Sequence, residues 1–164
     1  MIFTLENMED IFLFLEGTRG VAQDETYHPE GDVFTHSLMT FELAMRETYD
    51  TDLIIAALLH DVGKASAERV QHESIGAEWV RDYVSEKTFY LIANHMRVWT
   101  LIKGEMKRPG KIRQLVEHVW FPPLIHLARL DSMARSPHIR IPSYDKEKMV
   151  ERLNRKGMER FYVR

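Results

Sequence analysis

The chain contains no cysteine among its 164 residues. Disulfide scaffolds, thiolate metal sites and a catalytic thiol are thereby excluded, and any metal would have to be held by histidine and carboxylate. Long apolar runs are missing as well, nothing coming near the roughly 18 residues that span a bilayer. The first ten residues carry Glu6, Glu9 and Asp10 and lack the basic region of a secretory signal. A cytoplasmic protein without a membrane segment is the expectation. Glycine and proline are scarce, at 8 and 6 residues, while 45% of the chain is hydrophobic. Disorder and collagen-like repeats are therefore ruled out. Neither sign of charge is in excess, the net being −3 with 29% charged residues, which argues against strong binding to duplex nucleic acid.

What is present is helical periodicity. Leu5, Met8, Ile11, Phe12 and Leu15 form a helical stripe, so a helix is expected over residues 5–16, followed by a loop over 17–32. A second helix is expected over 33–49. Asp50 is an N-cap signal before the strongly apolar helix 53–60, and Gly63 reads as its stop. After a connector over 65–71, helices are expected at 73–84, 87–95, 112–119, 124–134 and 144–158. A basic turn with Pro109-Gly110 fills 103–113, and Phe121-Pro122-Pro123 separates two of the helices. No strand pattern and no internal repeat is visible. The expectation is an all-α, compact helical bundle of about seven to nine helices, forming a single domain over residues 1–164.

Eight histidines stand in this chain, and their neighbours matter more than their number. His60 and Asp61 end a helix that is apolar almost all round, where polar groups suffer desolvation unless paired. Asp131 shares a helical face with Leu124, Leu127 and Ala128, and so interrupts a core stripe. His36 shares a face with Val33, Leu43 and Ala44. Taken singly, each is readable as a core residue held by a backbone group, a cap or an arginine. Taken together, imidazole and carboxylate make the ligand set of Zn, Mn, Fe, Co or Ni, and one cation would offset the desolvation of all of them.

The order His36 … His60-Asp61 … Asp131 resembles the H…HD…D signature of HD-domain metal-dependent phosphohydrolases. His60-Asp61-Val62-Gly63-Lys64 is similar to their HD-[IV]-G-K element, and His72-Glu73-Ser74-Ile75-Gly76-Ala77 to the element that follows. Asn94-His95-Met96-Arg97 resembles the next histidine element, with Asn94 where the family often has a first histidine. Residues 27–38 resemble the HD domains attached to bacterial CCA-adding tRNA nucleotidyltransferases, here expected to stand alone. The resemblance spans about residues 28–135, leaving the helices at 5–16 and about 144–158 as flanks.

The resemblance implies a metal held by His36, His60, Asp61 and Asp131, and a second held by His72 and His95 with Asp61 bridging. One or two divalent ions are expected, Mn, Fe, Co, Ni or Zn, with Mg also admissible. It implies Asp61 and Lys64 as catalytic residues, and Lys64, Arg97 and His28 as substrate contacts. Asp32 and Glu73 are candidate partners for the far nitrogens of the ligating imidazoles. His72 reads equally well as a helix-initiating residue, Lys64 as a solvated lysine at a helix end, and His28 as part of a surface turn. Lys107, Arg108, Lys111 and Arg113 could steer an anion, although such clusters are usually solvated surface. His118, His126 and His138 fall to structural roles.

The implied activity is hydrolysis of phosphoesters of nucleotides or RNA ends, of 2′,3′-cyclic phosphodiesterase, nucleotidase or phosphatase type. The alternatives are a (deoxy)nucleoside triphosphate or dinucleoside polyphosphate hydrolase, a non-catalytic nucleotide-sensing module, a helical interaction protein without metal, and a di-iron oxygenase. Trp79, Trp99 and Trp120 leave self-association open as a partner mode.

Overall fold

The computed structural model describes residues 2–68 and 70–162. Over these residues it contains eight α-helices, two short 3-10 turns and no strand. In chain order they are α1 (Glu9–Glu16), α2 (Val33–Glu47), α3 (Thr51–Leu59), α4 (His72–Val80), α5 (Glu86–Ile102), α6 (Pro109–Val116), α7 (Phe121–Met133) and α8 (Lys146–Glu159). The 3-10 turns are Val62–Ala65 and Arg81–Tyr83.

Helix α3 is the hydrophobic axis. Leu53 to Leu59 are each 0–4% exposed, as expected for a helix apolar on every side. It packs against α2, α5 and α7, with α1 and α8 touching it more lightly. Asp50 starts it by accepting from the backbone N–H groups of Asp52 and Leu53, at 3.1 and 3.4 Å. Lys87 of α5 adds an ion pair to the same Asp50 at 2.6 Å.

Several element ends differ from the sequence expectation, each for a local reason. Regular helix in α1 begins at Glu9 rather than Leu5. Thr4 and Asn7 exchange hydrogen bonds of 2.9 and 3.0 Å between side chain and backbone, so residues 4–7 form a capped turn. Helix α5 runs on past His95 to Ile102, because no breaker intervenes before Gly104, whose positive φ of 71° ends the helix. This puts Arg97, Trp99 and Lys103 on or at the end of a helix. The prolines expected in separators lie instead in the first turns of α6 and α7, where their missing N–H has no intrahelical acceptor to lose.

Gly63 corrects the expectation more substantially. The helix before it ends at Leu59, and Gly63 lies in the 3-10 turn against α4. A Cβ there would lie 1.9 Å from the His72 carbonyl oxygen and 2.7 Å from the Gly76 nitrogen. The glycine serves a close approach of two backbones, and that approach carries the start of α4 to the end of α3.

Candidate metal centre and its cavity

Five helices and their ends bring six side chains to the same buried point. His36 sits in the first turn of α2, set by Asp32, whose carboxylate caps the helix by accepting from the Thr35 N–H at 2.8 Å. His60 caps the C-terminal end of α3, with Asp61 immediately after it. His72 is the first residue of α4, His95 lies in the middle of α5, and Asp131 lies near the end of α7. All six are buried.

The atoms fall into two groups that share Asp61. Its Oδ2 is 3.3 Å from His60 Nε2 and 3.8 Å from His36 Nε2. Asp131 Oδ1 completes that group at 2.8 Å from His36 Nε2 and 3.5 Å from His60 Nε2. The other oxygen of Asp61, Oδ1, is 3.1 Å from His72 Nε2 and 3.4 Å from His95 Nε2. Within each group the nitrogen and oxygen atoms lie within 4.8 Å of one another.

The imidazole orientations fit a cation. His60 Nδ1–H donates to the Ala57 carbonyl at 2.9 Å, and His95 Nδ1–H to the Ile92 carbonyl at 2.7 Å. A carbonyl only accepts, so both rings hold their proton on Nδ1 and turn Nε2 toward the carboxylates. Nε2 of His60, His72 and His95 is buried and makes no hydrogen bond among the described residues. A lone pair facing carboxylate oxygens is stable only with a proton or a metal ion between them. In the proton case, burial opposes charging His60, but the negative Asp61 beside it raises its pKa to about 10. Burial likewise opposes ionising Asp61, yet His60 and Lys64 hold it well below the ordinary carboxylate range. Asp131 is also held low, against burial, by its hydrogen bond with His36 and by the nearby His60. His95 is different, since burial dominates and lowers its pKa.

Of the two expected outer partners, Glu73 stands beside a ligating imidazole and Asp32 does not. Asp32 is occupied with capping Thr35 and Gly20 N–H groups. Glu30 takes the expected place instead, its Oε1 lying 3.3 Å from His36 Nδ1 and 2.7 Å from His28 Nδ1. His28 is 8% exposed and packs edge-on to His36 with ring centroids 5.0 Å apart, its ring turned inward against the cluster. Glu73 lies 3.8 Å from His72 Nδ1. His72 both initiates α4 and joins the cluster.

A cavity of about 670 Å³ opens onto this centre, within the usual range for small-ligand sites. Asp61, Asp131 and His72 line it, as do His28, Lys64 and Trp99. Lys64 Nζ donates to Asp61 Oδ2 at 3.0 Å and to Gln23 Oε1 at 2.8 Å, which is more than a solvated lysine would do. Arg97 is not brought there; its guanidinium donates to Asn94 Oδ1 at 3.2 Å. His118 stacks on Tyr90 with centroids 4.0 Å apart, outside the cluster. Glu30, Gln23, Trp99 and Arg135 are the site neighbours that sequence reasoning missed. Among them, Arg135, one turn after Asp131, and Trp99, one turn after His95, carried a signal in their spacing.

No helix of the described residues is long and apolar enough to cross a membrane. The HD domain family model matches residues 33–135. The chain is 36% identical over 80 residues to a Multifunctional CCA protein of Hahella chejuensis, covering 45% of this chain and 19% of that protein. It is 42% identical over 74 residues to the Multifunctional CCA protein of Halorhodospira halophila, covering 42% of this chain and 18% of that one. The chain thus spans less than a fifth of the length of these curated relatives. A match over more than half of the chain, across the helices that deliver the clustered histidines and aspartates, makes this chain a member of the HD-domain family, whose members are generally metal-dependent hydrolases.

Proposed function

We propose that this chain is a metal-dependent phosphohydrolase that cleaves phosphoesters of nucleotides or of RNA ends with water as the attacking group. The observation that carries this reading is the division of Asp61, one oxygen facing His36, His60 and Asp131 and the other facing His72 and His95. His36, His60, Asp61 and Asp131 would hold one divalent ion, and Asp61, His72 and His95 a second. Bound there, such ions lower the pKa of water and polarise phosphoryl oxygen.

The chain's own residues supply the remaining requirements. Asp61 orients the attacking water from between the two groups. Lys64 stands 3.0 Å from Asp61 and stabilises charge that develops on the phosphoryl group. Glu30 ties down His28 Nδ1 and so presents the other ring nitrogen, Nε2, to a substrate in the cavity. Tyr27 and Trp99 bring aromatic surface to the same cavity, suited to a nucleobase. The similarity to Multifunctional CCA proteins, over this same region, favours 2′,3′-cyclic phosphodiesterase, nucleotidase or phosphatase work over triphosphate hydrolysis.

The test is metal content with a matched activity screen, using wild type and Asp61→Asn purified without chelator. The substrates are bis-p-nitrophenyl phosphate, 2′,3′-cyclic AMP, 2′-, 3′- and 5′-AMP, deoxynucleoside triphosphates and a dinucleoside polyphosphate, each with Mn, Co, Ni, Zn or Mg. One or two bound ions in the wild type, lost together with hydrolysis in the variant, is the expected result. A folded wild type that binds no metal and turns nothing over refutes it.

A further inference from the structure

Beside the metal centre, the cavity wall holds hydrogen-bond donors with nothing to bond to. Gln23 lies in the loop before α2. Its Oε1 accepts from Lys64 Nζ at 2.8 Å. An ammonium only donates, so the atom facing Lys64 is the oxygen, and the amide nitrogen points the other way. That nitrogen, Nε2, is buried without a hydrogen-bond acceptor among the described residues. Arg135 follows α7, one turn beyond Asp131. Its guanidinium lies 5.6 Å from the Trp99 ring centroid, and one of its terminal nitrogens is 3.6 Å from Asp131 Oδ2, too far for a hydrogen bond. Its Nε is also buried without an acceptor among the described residues. Both residues line the same cavity.

A buried donor without an acceptor costs about 1–3 kcal/mol. Two of them on separate elements line one cavity, Gln23 beside Lys64 and Arg135 beside Asp131, and are matched by an anion that accepts from both sides. Arg presents a planar fork suited to two oxygens of one phosphate. Resting on the phosphohydrolase reading above, we propose that Gln23 and Arg135 are substrate-phosphate ligands and that together they select phosphate monoesters over diesters. A diester has two unesterified oxygens, and both are needed at the metal centre and Lys64. A monoester dianion has a third, which gives the donors of Gln23 and Arg135 an acceptor.

Two substitutions separate this role from structural support. Gln23→Met keeps the length and neutrality of the side chain, leaves Lys64 its bond to Asp61 and removes the unpartnered donor. Arg135→Lys keeps the positive charge beside Asp131 and removes the fork. The assay is kcat/KM on 2′-, 3′- and 5′-AMP against 2′,3′-cyclic AMP and bis-p-nitrophenyl phosphate, with metal content and circular dichroism recorded for each protein. Each variant is expected to lose about ten- to hundredfold on the monoester that the wild type cleaves best, the worth of one hydrogen bond to a charged group, and less than about threefold on diesters. Equal losses on both classes, or no loss on monoesters, overturn the proposal.

A second measurement needs neither turnover nor a folded variant. Inorganic phosphate is titrated into ¹⁵N-labelled wild type while the Arg135 Nε–H and Gln23 side-chain amide resonances are followed. Both are expected to shift with one common affinity, and stationary resonances overturn the proposal. A wild type that binds phosphate through these two groups yet hydrolyses nothing refutes the hydrolase reading and leaves the anion site standing.

Discussion

Replacing Gly63 by alanine tests whether the site is assembled by backbone contact. The added Cβ would lie 1.9 Å from the His72 carbonyl oxygen and 2.7 Å from the Gly76 nitrogen. Comfortable packing needs about 3.5 Å, so the turn and α4 must separate by roughly 1.5 Å. Both obstructing atoms are backbone and cannot rotate aside. Overpacking that side chains can absorb costs about 1–3 kcal/mol, and a forced helix displacement belongs at the top of that range, about 3 kcal/mol. With a urea slope of about 2 kcal/mol/M, the unfolding midpoint should fall by about 1.5 M. The shift falls on the turn of α4 that carries His72, whose Nε2 is 3.1 Å from Asp61 Oδ1. Gly63→Ala should therefore lose an ion from the His72 and His95 side before the His36 and His60 side. Urea denaturation followed by circular dichroism, with metal counted by mass spectrometry, reads both effects. Gly110→Ala is the control, since nothing lies within 4 Å of a Cβ at that position. A Gly63→Ala protein within about 0.5 kcal/mol of wild type and with full metal content would refute the reasoning, because surface-like tolerance is incompatible with this contact.

Two further outcomes are expected. In chelator, stability should fall as pH rises: burial opposes charging His60, but Asp61 raises its folded pKa to about 10 from an ordinary 6.5. That contribution is whole below 6.5 and is lost as pH passes through 10. Asp61 and Asp131 are held low, so theirs is present above the ordinary carboxylate range and lost only in acid. Thermal midpoints in EDTA measured between about pH 7 and 10 should decline, and a divalent ion that replaces the proton should flatten the decline; a flat profile in EDTA contradicts the charge assignment. Lys64→Gln should lower kcat/KM by about ten- to a hundredfold while the bound metal is unchanged, and loss of metal instead would show that Lys64 acts by holding Asp61.

Much of the helical order was legible because local chemistry wrote it. The all-apolar run Leu53 to Leu59 declared a buried helix, and Asp50 marked its start by capping it. Helix ends were less legible where a competing interaction decides. The reciprocal bonds of Thr4 and Asn7 delay α1, and α5 passes His95 because its stop signal is Gly104. His36, His60, Asp61 and Asp131 stood out as polar residues on apolar faces. Glu30 and Gln23 did not, because a polar residue in a loop looks the same whether it faces solvent or a buried imidazole. Arg97 had the opposite fate: its position beside His95 suggested the site, but two residues along a helix is a rotation of about 200°, toward another face.

By itself, then, the sequence determined which segments are helical, that the chain lacks thiolate ligands, and which histidines and aspartates meet a core that cannot hold them unpaired. These are properties of a residue and its near neighbours, and periodicity and desolvation report them directly. Tertiary structure alone decided how the oxygens of Asp61 are divided, that Glu30 rather than Asp32 serves His36, and that Gln23 and Arg135 share a cavity. It also turned Gly63 from a helix stop into a contact between backbones. The physical reason is range. His36 meets Asp131 across 95 residues and Lys64 meets Gln23 across 41, and such pairings follow from how helices cross around α3, which no local pattern encodes.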